Sequence, residues 1–260
     1  MKKLMIAASA ALCAAVSFGV GIESANIVGY QTTSSPAAGK YVALAVQFEN
    51  IGETIQIPIA DLLTVADAKG ANAIAATADQ IWLWDTTAGD WVKYFYRVNR
   101  GTVVGWCKSG AQAVTTDTIG AGVTFFFYRG NSGSVTTITT RGQIKPFEAT
   151  PTYSIEPAKY TFMAYPWPVA LPIDGLQKYC SNAKGANAIA ATADQVWLWD
   201  TTAGDWVKYF YRVNRGTVIG WCKSGEQTAT TDTIPAGEGF FFYHGNAGVT
   251  GDTVTFTYGD

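Results

Sequence analysis

The chain has 260 residues, which at about 150 residues per domain corresponds to one large domain or two small ones. Hydrophobic residues make up 48% of the sequence, a content that excludes an intrinsically disordered chain. Eighteen basic and twenty acidic side chains leave a formal charge of −2, so the composition gives no sign of nucleic-acid binding. With His244 as its one histidine, the chain has little capacity for histidine catalysis or zinc binding.

Residues 1–24 have the layout of a secretory signal peptide. Lys2 and Lys3 precede a small, apolar stretch that runs from Leu4 to Val20. The stretch is rich in alanine and lacks a basic stop-transfer cluster, so a membrane anchor is the weaker alternative. We predict cleavage after Ser24, an extracytoplasmic location (secreted or cell surface), and no membrane span once the signal is removed.

The rest of the chain contains two copies of one unit. Residues 68–110 and 183–225 are related by an offset of 115 positions, and 41 of these 43 residues are identical. A looser match extends the repeat beyond these segments. On the C-terminal side, for example, FFFY at 125–128 recurs at 240–243. We predict two tandem β-domains, residues 25–145 and 146–260. Each is expected to close its own core, since two copies are too few for a solenoid.

Each copy is predicted to be a small β-sandwich or barrel with one short helical insert. Runs of β-branched and aromatic residues, separated by turn residues at regular short intervals, are typical of small all-β domains. The insert is expected within residues 61–79, which are rich in alanine and leucine. The strands predicted for the first copy are residues 41–48, 80–84, 91–98, 102–107, 124–128 and 135–140.

The predicted hairpin at 80–98 holds three tryptophans and recurs in the second copy. Because side chains alternate across a strand, Trp82 and Trp84 share one face while Ile81 and Leu83 share the other. Both faces are apolar, which one core does not explain. The tryptophans form either an outward platform for sugar rings or a contact within or between the copies. The candidate ligand-binding residues are Trp82, Trp84, Trp91, Trp197, Trp199 and Trp206.

Carboxylates are the remaining candidates for chemistry. Asp85 and Asp90 flank the hairpin loop, where aspartate side chains commonly accept hydrogen bonds from turn backbone. Two carboxylates at such a spacing also suit a glycosidase, although this is the least supported hypothesis. No catalytic residue, metal or cofactor is predicted from the motifs. The weak calcium candidates are Asp85, Asp90, Asp200 and Asp205.

Three cysteines follow the signal, an odd number for an exported chain. Cys107 and Cys222 occupy the same place in the two copies, whereas Cys180 has no cysteine as its counterpart. We expect buried thiols, with a Cys180–Cys222 disulfide as the alternative. His244 is expected to be exposed at the end of a strand, because Arg129 takes its place in the first copy.

Two short motifs, ANIVGY at 25–30 and IPAGEGFFF at 234–242, resemble motifs that recur in a group of secreted bacterial β-repeat proteins of uncharacterised function. The resemblance implies export and an all-β fold. We therefore predict an exported, non-enzymatic protein that acts by binding or assembly through duplicated Trp-rich β-domains. The alternatives are a glycan-binding module on the tryptophan face and, with less support, a secreted glycan hydrolase. The predicted partners are carbohydrate or a second copy of the chain.

Overall fold

A computed structural model describes residues 28–48, 56–64, 68–120, 122–131, 137–143, 152–165, 169–245 and 254–257. This part of the chain is built almost entirely from antiparallel strands in two similar sets, which confirms the all-β prediction. The predicted signal peptide and the predicted boundary between residues 145 and 146 lie outside the described residues.

The first copy has a five-stranded sheet and, on one side of it, a smaller three-stranded sheet. Its described strands are β1 (Val28–Ser34), β2 (Tyr41–Ala45), β3 (Gln56–Pro58), β4 (Leu63–Thr64), β5 (Gln80–Asp85), β6 (Asp90–Asn99), β7 (Thr102–Lys108), β8 (Thr118–Gly120), β9 (Thr124–Tyr128) and β10 (Thr137–Gln143), with one helix, α1 (Ile59–Leu62). The large sheet has the order β2-β9-β5-β6-β7, and a smaller sheet has the order β1-β10-β4.

The second copy repeats this arrangement. Its described strands are β11 (Thr152–Ile155), β12 (Tyr160–Ala164), β13 (Leu171–Pro172), β14 (Cys180–Ser181), β15 (Gln195–Asp200), β16 (Asp205–Asn214), β17 (Thr217–Lys223), β18 (Thr233–Ile234), β19 (Gly239–Tyr243) and β20 (Val254–Thr257), with a 3₁₀ helix at Ile173–Lys178. The orders β12-β19-β15-β16-β17 and β11-β20-β14 match those of the first copy. Among the described strands, every ladder joins strands of the same copy.

The core of each copy lies between its five-stranded sheet and its smaller three-stranded sheet. In the first copy, Ile81, Phe125 and Phe127 of the large sheet share a cluster with Ile138 and Ile59, and all five are almost fully buried. The apolar side chains of alternating strand positions thus meet in a sandwich-like arrangement. The second copy buries Val196, Phe240, Phe242, Phe256 and Ile173 in the same way.

The helical insert lies earlier than predicted. It covers Ile59–Leu62, whereas residues 68–79 form turns that run beside β6. The backbone N–H of Ala71 donates to Tyr96 O, and the N–H of Val98 donates to Ala71 O. The predicted short helix is therefore present, but only its last two residues fall within 61–79. Residues 68–79 have no helix, although an alanine-rich composition favours one locally, because these contacts with a distant strand take up the backbone groups.

The tryptophan hairpin has the predicted faces. Strands β5 and β6 pair so that Trp84 lies opposite Trp91 and Trp82 lies opposite Lys93. Ile81 is fully buried in the first core, whereas the tryptophans belong to a separate cluster on the other side of the sheet. Both faces of this hairpin are therefore packed.

The cysteines are buried thiols at the two repeated positions. Cys107 and Cys222 are free and fully buried, so the Cys180–Cys222 disulfide is not formed. Burial raises the pKa of both thiols. Cys180 lies in β14, where the equivalent strand β4 of the first copy has Leu63, and it is itself buried.

Candidate functional site

The two five-stranded sheets face each other through one aromatic cluster, which we call the inter-copy cluster. Its buried centre consists of Ala43 and Phe126 from the first copy and Phe162 and Phe241 from the second. Tyr41 and six tryptophans that are neither fully buried nor fully exposed surround this centre. These six are the predicted ligand-binding residues Trp82, Trp84, Trp91, Trp197, Trp199 and Trp206.

Equivalent contacts cross the cluster in both directions. The rings of Trp84 and Phe241 are 5.7 Å apart and those of Trp199 and Phe126 are 5.4 Å apart, both edge to face. Phe162 stacks on Phe126 at 5.1 Å and on Phe241 at 4.5 Å. Because each copy offers the same patch to the other, this interface has the isologous character of a two-fold dimer. Each aromatic pair contributes about 0.5–1.5 kcal/mol beyond its buried area.

The match between the copies is not complete. Ala43 of the first copy occupies the position that Phe162 has in the second. At this position, only the second copy therefore contributes a phenylalanine to the centre of the cluster. The indole N–H of Trp199 donates to Tyr41 O at 3.0 Å across the interface. The equivalent atom, Trp84 Nε1, is buried and has no hydrogen-bond acceptor in the described part of the chain.

The ring faces of the tryptophans are largely occupied. Lys93 Nζ lies 3.9 Å from the ring centroid of Trp82, and Lys208 Nζ lies 4.0 Å from that of Trp197, in cation–π geometry. Trp84 and Trp91 meet edge to face at 5.1 Å. An outward platform for sugars needs open, aligned ring faces. The observed tryptophans instead pack in the contact between the two copies.

Polar contacts add to the interface at the PAGEG turn, residues 235–239. The N–H of Ala45 donates to Gly237 O at 2.9 Å, and Gln31 Nε2 donates to Ala236 O at 3.0 Å. Tyr153 Oη donates back to Gly122 O at 2.8 Å. The turn motif was visible in the sequence, but its partner in the other copy was not, because the contacts span about 200 residues, as for Gln31 and Ala236.

Gly239 lies where the PAGEG turn of the second copy comes close to Thr124 of the first copy. A Cβ at Gly239 would lie 1.7 Å from Thr124 Cγ2, and Thr124 is buried. We expect Gly239→Ala to lower the free energy of unfolding by about 1–3 kcal/mol through overpacking. Thr124→Ser, which removes the clashing methyl, should recover part of that loss in a double-mutant cycle measured by denaturant unfolding. If the effects of the two substitutions on the free energy of unfolding were purely additive, the Gly239→Ala side chain would not clash with Thr124.

Glu238 lies in the same turn, and burial raises its pKa from 4.5 to about 6. The folded protein therefore binds this proton more tightly than the unfolded chain does. The contribution of the protonated Glu238 carboxyl group to the free energy of unfolding is complete below pH 4.5 and is lost as the pH rises through about 6. The first copy has the apolar Val123 at this position.

We expect Glu238→Gln to raise the free energy of unfolding at pH 7 by up to about 2 kcal/mol and to flatten its pH dependence between 4.5 and 6. Urea unfolding at a series of pH values measures both effects. The matched control is Glu226→Gln, at an exposed glutamate. An unchanged pH profile in the Glu238 variant would contradict the burial of this carboxyl group.

The hairpin carboxylates bind the backbone of their own turns. Asp85 Oδ1 accepts from the N–H groups of Thr87 and Ala88 at 2.8 and 3.0 Å, and Asp90 Oδ1 accepts from Trp91 N at 2.7 Å. Asp200 and Asp205 repeat this pattern in the second copy. Within the described ranges, no group of three or more His, Cys, Asp or Glu side chains is placed to hold a metal ion.

His244 is buried, so the expectation of an exposed residue was wrong. Its Nδ1 lies 2.7 Å from Asp194 Oδ1, and both side chains are fully buried. Asp194 also accepts from the N–H groups of Lys184 and Gly245, each at 2.7 Å. Burial raises the pKa of Asp194 despite these hydrogen bonds. The pairing was not predictable from local sequence, because the two residues are 50 positions apart.

A duplicated cluster of tyrosine, aspartate and lysine was missed in the sequence. Tyr94 Oη donates to Asp117 Oδ2 at 2.6 Å, and Lys108 Nζ lies 3.1 Å from the same oxygen. Burial and then Asp117 raise the pKa of Tyr94, while the hydrogen bond from Tyr94 lowers that of Asp117. A phenol held protonated is a poor general base. The cluster instead holds strand β6 to the loop before β8. Tyr209, Asp232 and Lys223 repeat it.

Comparison with known proteins assigns no family. No protein-family model matches the sequence, and no curated protein matches it. The likeness to secreted bacterial β-repeat proteins stays a prediction. No helix in the described ranges is both long and apolar enough to cross a membrane.

Proposed function

We propose that the protein is exported and non-enzymatic, and that it acts by binding or assembly as one unit made of two β-domains. The observation that carries this proposal is the inter-copy cluster. Six of the nine tryptophans lie in it and join the two copies. Because this self-complementary aromatic face is used between the two copies of one chain, it joins them into one unit, and assembly with a further chain uses surfaces outside the cluster.

The polar groups of the described residues favour a structural role over catalysis. The hairpin carboxylates accept hydrogen bonds from their own turns, and Asp79 and Asp194 accept them from buried backbone. Cys107 and Cys222 are buried thiols with raised pKa values, which makes them weak nucleophiles. The export half rests on the signal-like N-terminus, residues 1–24.

Edge strands supply the surface for assembly. Strands β7 and β17 lie at the outer edges of the two large sheets, and their equivalent residues Val103 and Val218 are 60% and 59% exposed. Exposed apolar side chains on an edge strand favour pairing with another chain. Since each chain presents this edge twice, a partner is bound with avidity.

Light scattering of residues 25–260 tests the proposal. We expect a mass above that of the monomer, rising from low to high micromolar concentration. The Val103→Lys/Val218→Lys variant should shift this rise to higher concentration. The matched control, Thr102→Lys/Thr217→Lys, adds the same charge at the neighbouring exposed positions. A clean monomer at every concentration, together with no retention on a glycan array, would contradict the proposal.

The export half has its own test. Expression of the full chain in a secreting bacterial host, followed by mass spectrometry of the N-terminus, should give a mature chain that begins at Ala25. Retention of Met1 in a cytoplasmic protein would overturn the proposed location.

A further inference from the structure

The first copy has a pocket outside the inter-copy cluster. It has a volume of about 420 Å³, within the range of about 300–1,000 Å³ that is usual for small-molecule sites. Tyr96 and Trp106 line it with rings 5.5 Å apart, edge to face. Asp61 and Arg141, both exposed, also line it. Neither of them forms an ion pair with another described residue.

The aromatic lining is duplicated, whereas the polar lining is not. Tyr96 and Trp106 lie in the nearly identical segment 68–110 and recur as Tyr211 and Trp221. Asp61 belongs to a segment in which the copies differ, since Pro-Ile-Ala-Asp-Leu at 58–62 corresponds to Pro-Ile-Asp-Gly-Leu at 172–176. The second copy therefore serves as a control, because it has the same aromatic residues without the polar residue Asp61.

The equivalent place in the second copy is covered. Asp174 stands where the first copy has Ala60, and a Cβ at Gly220 would lie 2.6 Å from Asp174 Oδ1. A Cβ at the equivalent Gly105 would meet only Val114 Cγ2, at 3.4 Å. Accordingly, Tyr211 is buried at 7% exposure, while the equivalent Tyr96 is half-buried. The tryptophans do not differ in this way, since Trp106 and Trp221 are both buried.

The groups that line the pocket define the chemistry of its ligand. The half-buried ring of Tyr96 takes an apolar face, and the buried Trp106 supports that ring edge to face. Val114 adds an apolar wall. The carboxylate of Asp61 only accepts hydrogen bonds, and the guanidinium of Arg141 only donates them. Because these two charges cancel, a neutral ligand with both donors and acceptors is favoured over an ion. A pyranose ring fits this description, with C–H groups on its faces and hydroxyl groups around its rim.

We propose that this pocket binds a neutral saccharide ring, with the ring against the half-buried Tyr96 and its hydroxyl groups on Asp61 and Arg141. The site deepens the binding half of the proposed function and moves glycan recognition from the tryptophan hairpin to the other side of the large sheet. It belongs to the first copy alone, since Asp174 covers the equivalent surface of the second.

Ligand-detected NMR on residues 25–260 tests the site with four probes: methyl β-glucoside, methyl β-galactoside, methyl α-mannoside and N-acetylglucosamine. Phenylalanine serves as a zwitterionic comparison. We expect at least one saccharide to bind. Ala60→Asp, which installs the side chain of the second copy, and Arg141→Gln should each weaken that binding about tenfold or more. Asp174→Asn changes the equivalent position of the covered copy and should leave binding unchanged.

Thermal unfolding of each variant separates a lost site from a lost fold. The saccharide site is overturned if none of the four probes binds, if phenylalanine alone binds, or if Ala60→Asp binds as well as the original chain. The assembly test is independent, because Ala60→Asp should leave the light-scattering mass unchanged. Failure of the saccharide site can thus be told apart from failure of the proposed function.

Discussion

Replacing Phe241 by alanine is expected to lower the free energy of unfolding by about 3–5 kcal/mol, the range for truncating a buried phenylalanine. Phe241 is 7% exposed and lies at the centre of the inter-copy cluster. It stacks on Phe162 at 4.5 Å and meets Trp206 at 5.2 Å and Trp84 at 5.7 Å. Its loss opens a cavity between the two copies that neither copy can fill by itself. Urea unfolding followed by circular dichroism measures the change.

Two further variants make this measurement specific. Phe126→Ala removes the equivalent side chain of the first copy and should cost a similar amount, because Phe126 has the same type of contacts with Trp199 and Trp206. Tyr30→Ala removes an aromatic ring that is 78% exposed and should change stability by less than about 0.5 kcal/mol. A loss below about 1 kcal/mol for Phe241→Ala would show that the copies do not depend on this contact.

Asp194→Ala is the second large effect that we expect, a loss of about 3–5 kcal/mol. The carboxylate accepts hydrogen bonds from Lys184 N, Gly245 N and His244 Nδ1, each at 2.7 Å. Alanine leaves these buried groups without an acceptor. Asp79→Ala in the first copy should cost somewhat less, since its two backbone donors, Lys69 N and Gly130 N, have no buried histidine beside them.

The matched control for this prediction is Asp200→Ala. Asp200 also accepts two backbone hydrogen bonds, from Thr202 and Ala203, but these are exposed to solvent. Water replaces the lost acceptor there, so the cost should be about 1 kcal/mol. Equal losses for Asp194→Ala and Asp200→Ala, measured by thermal unfolding, would contradict the importance of burial at Asp194.

Local sequence was enough to predict the hairpin and its faces. The two-residue period of a strand places Ile81 in one core and Trp82 on the opposite face wherever the strand lies in the fold. The repeat then predicts the second copy, because residues 183–225 reproduce residues 68–110. The strand predicted at 124–128 is confirmed with the same bounds as β9, and all five of its residues are buried.

Contacts between distant segments were not predictable in this way. The alanine-rich segment 68–79 lacks a helix because its backbone bonds to Tyr96 and Val98 on a strand. His244 is buried against Asp194, which directly precedes β15 and lies 50 positions earlier in the chain. The sequence left the tryptophan face either exposed to solvent or packed within or between the copies. Only the arrangement of the two sheets distinguishes them, and periodicity within one strand holds no information about it.

The tryptophan faces of the two copies pack against each other within one molecule. Nuclear Overhauser contacts in a dilute sample test this most directly. We predict cross-peaks between the indole of Trp199 and the ring of Phe126, and a slowly exchanging Trp199 indole proton, because it donates to Tyr41 O at 3.0 Å. Cross-peaks confined to residues of the same copy, with a Trp199 indole proton that exchanges freely with water, would contradict it.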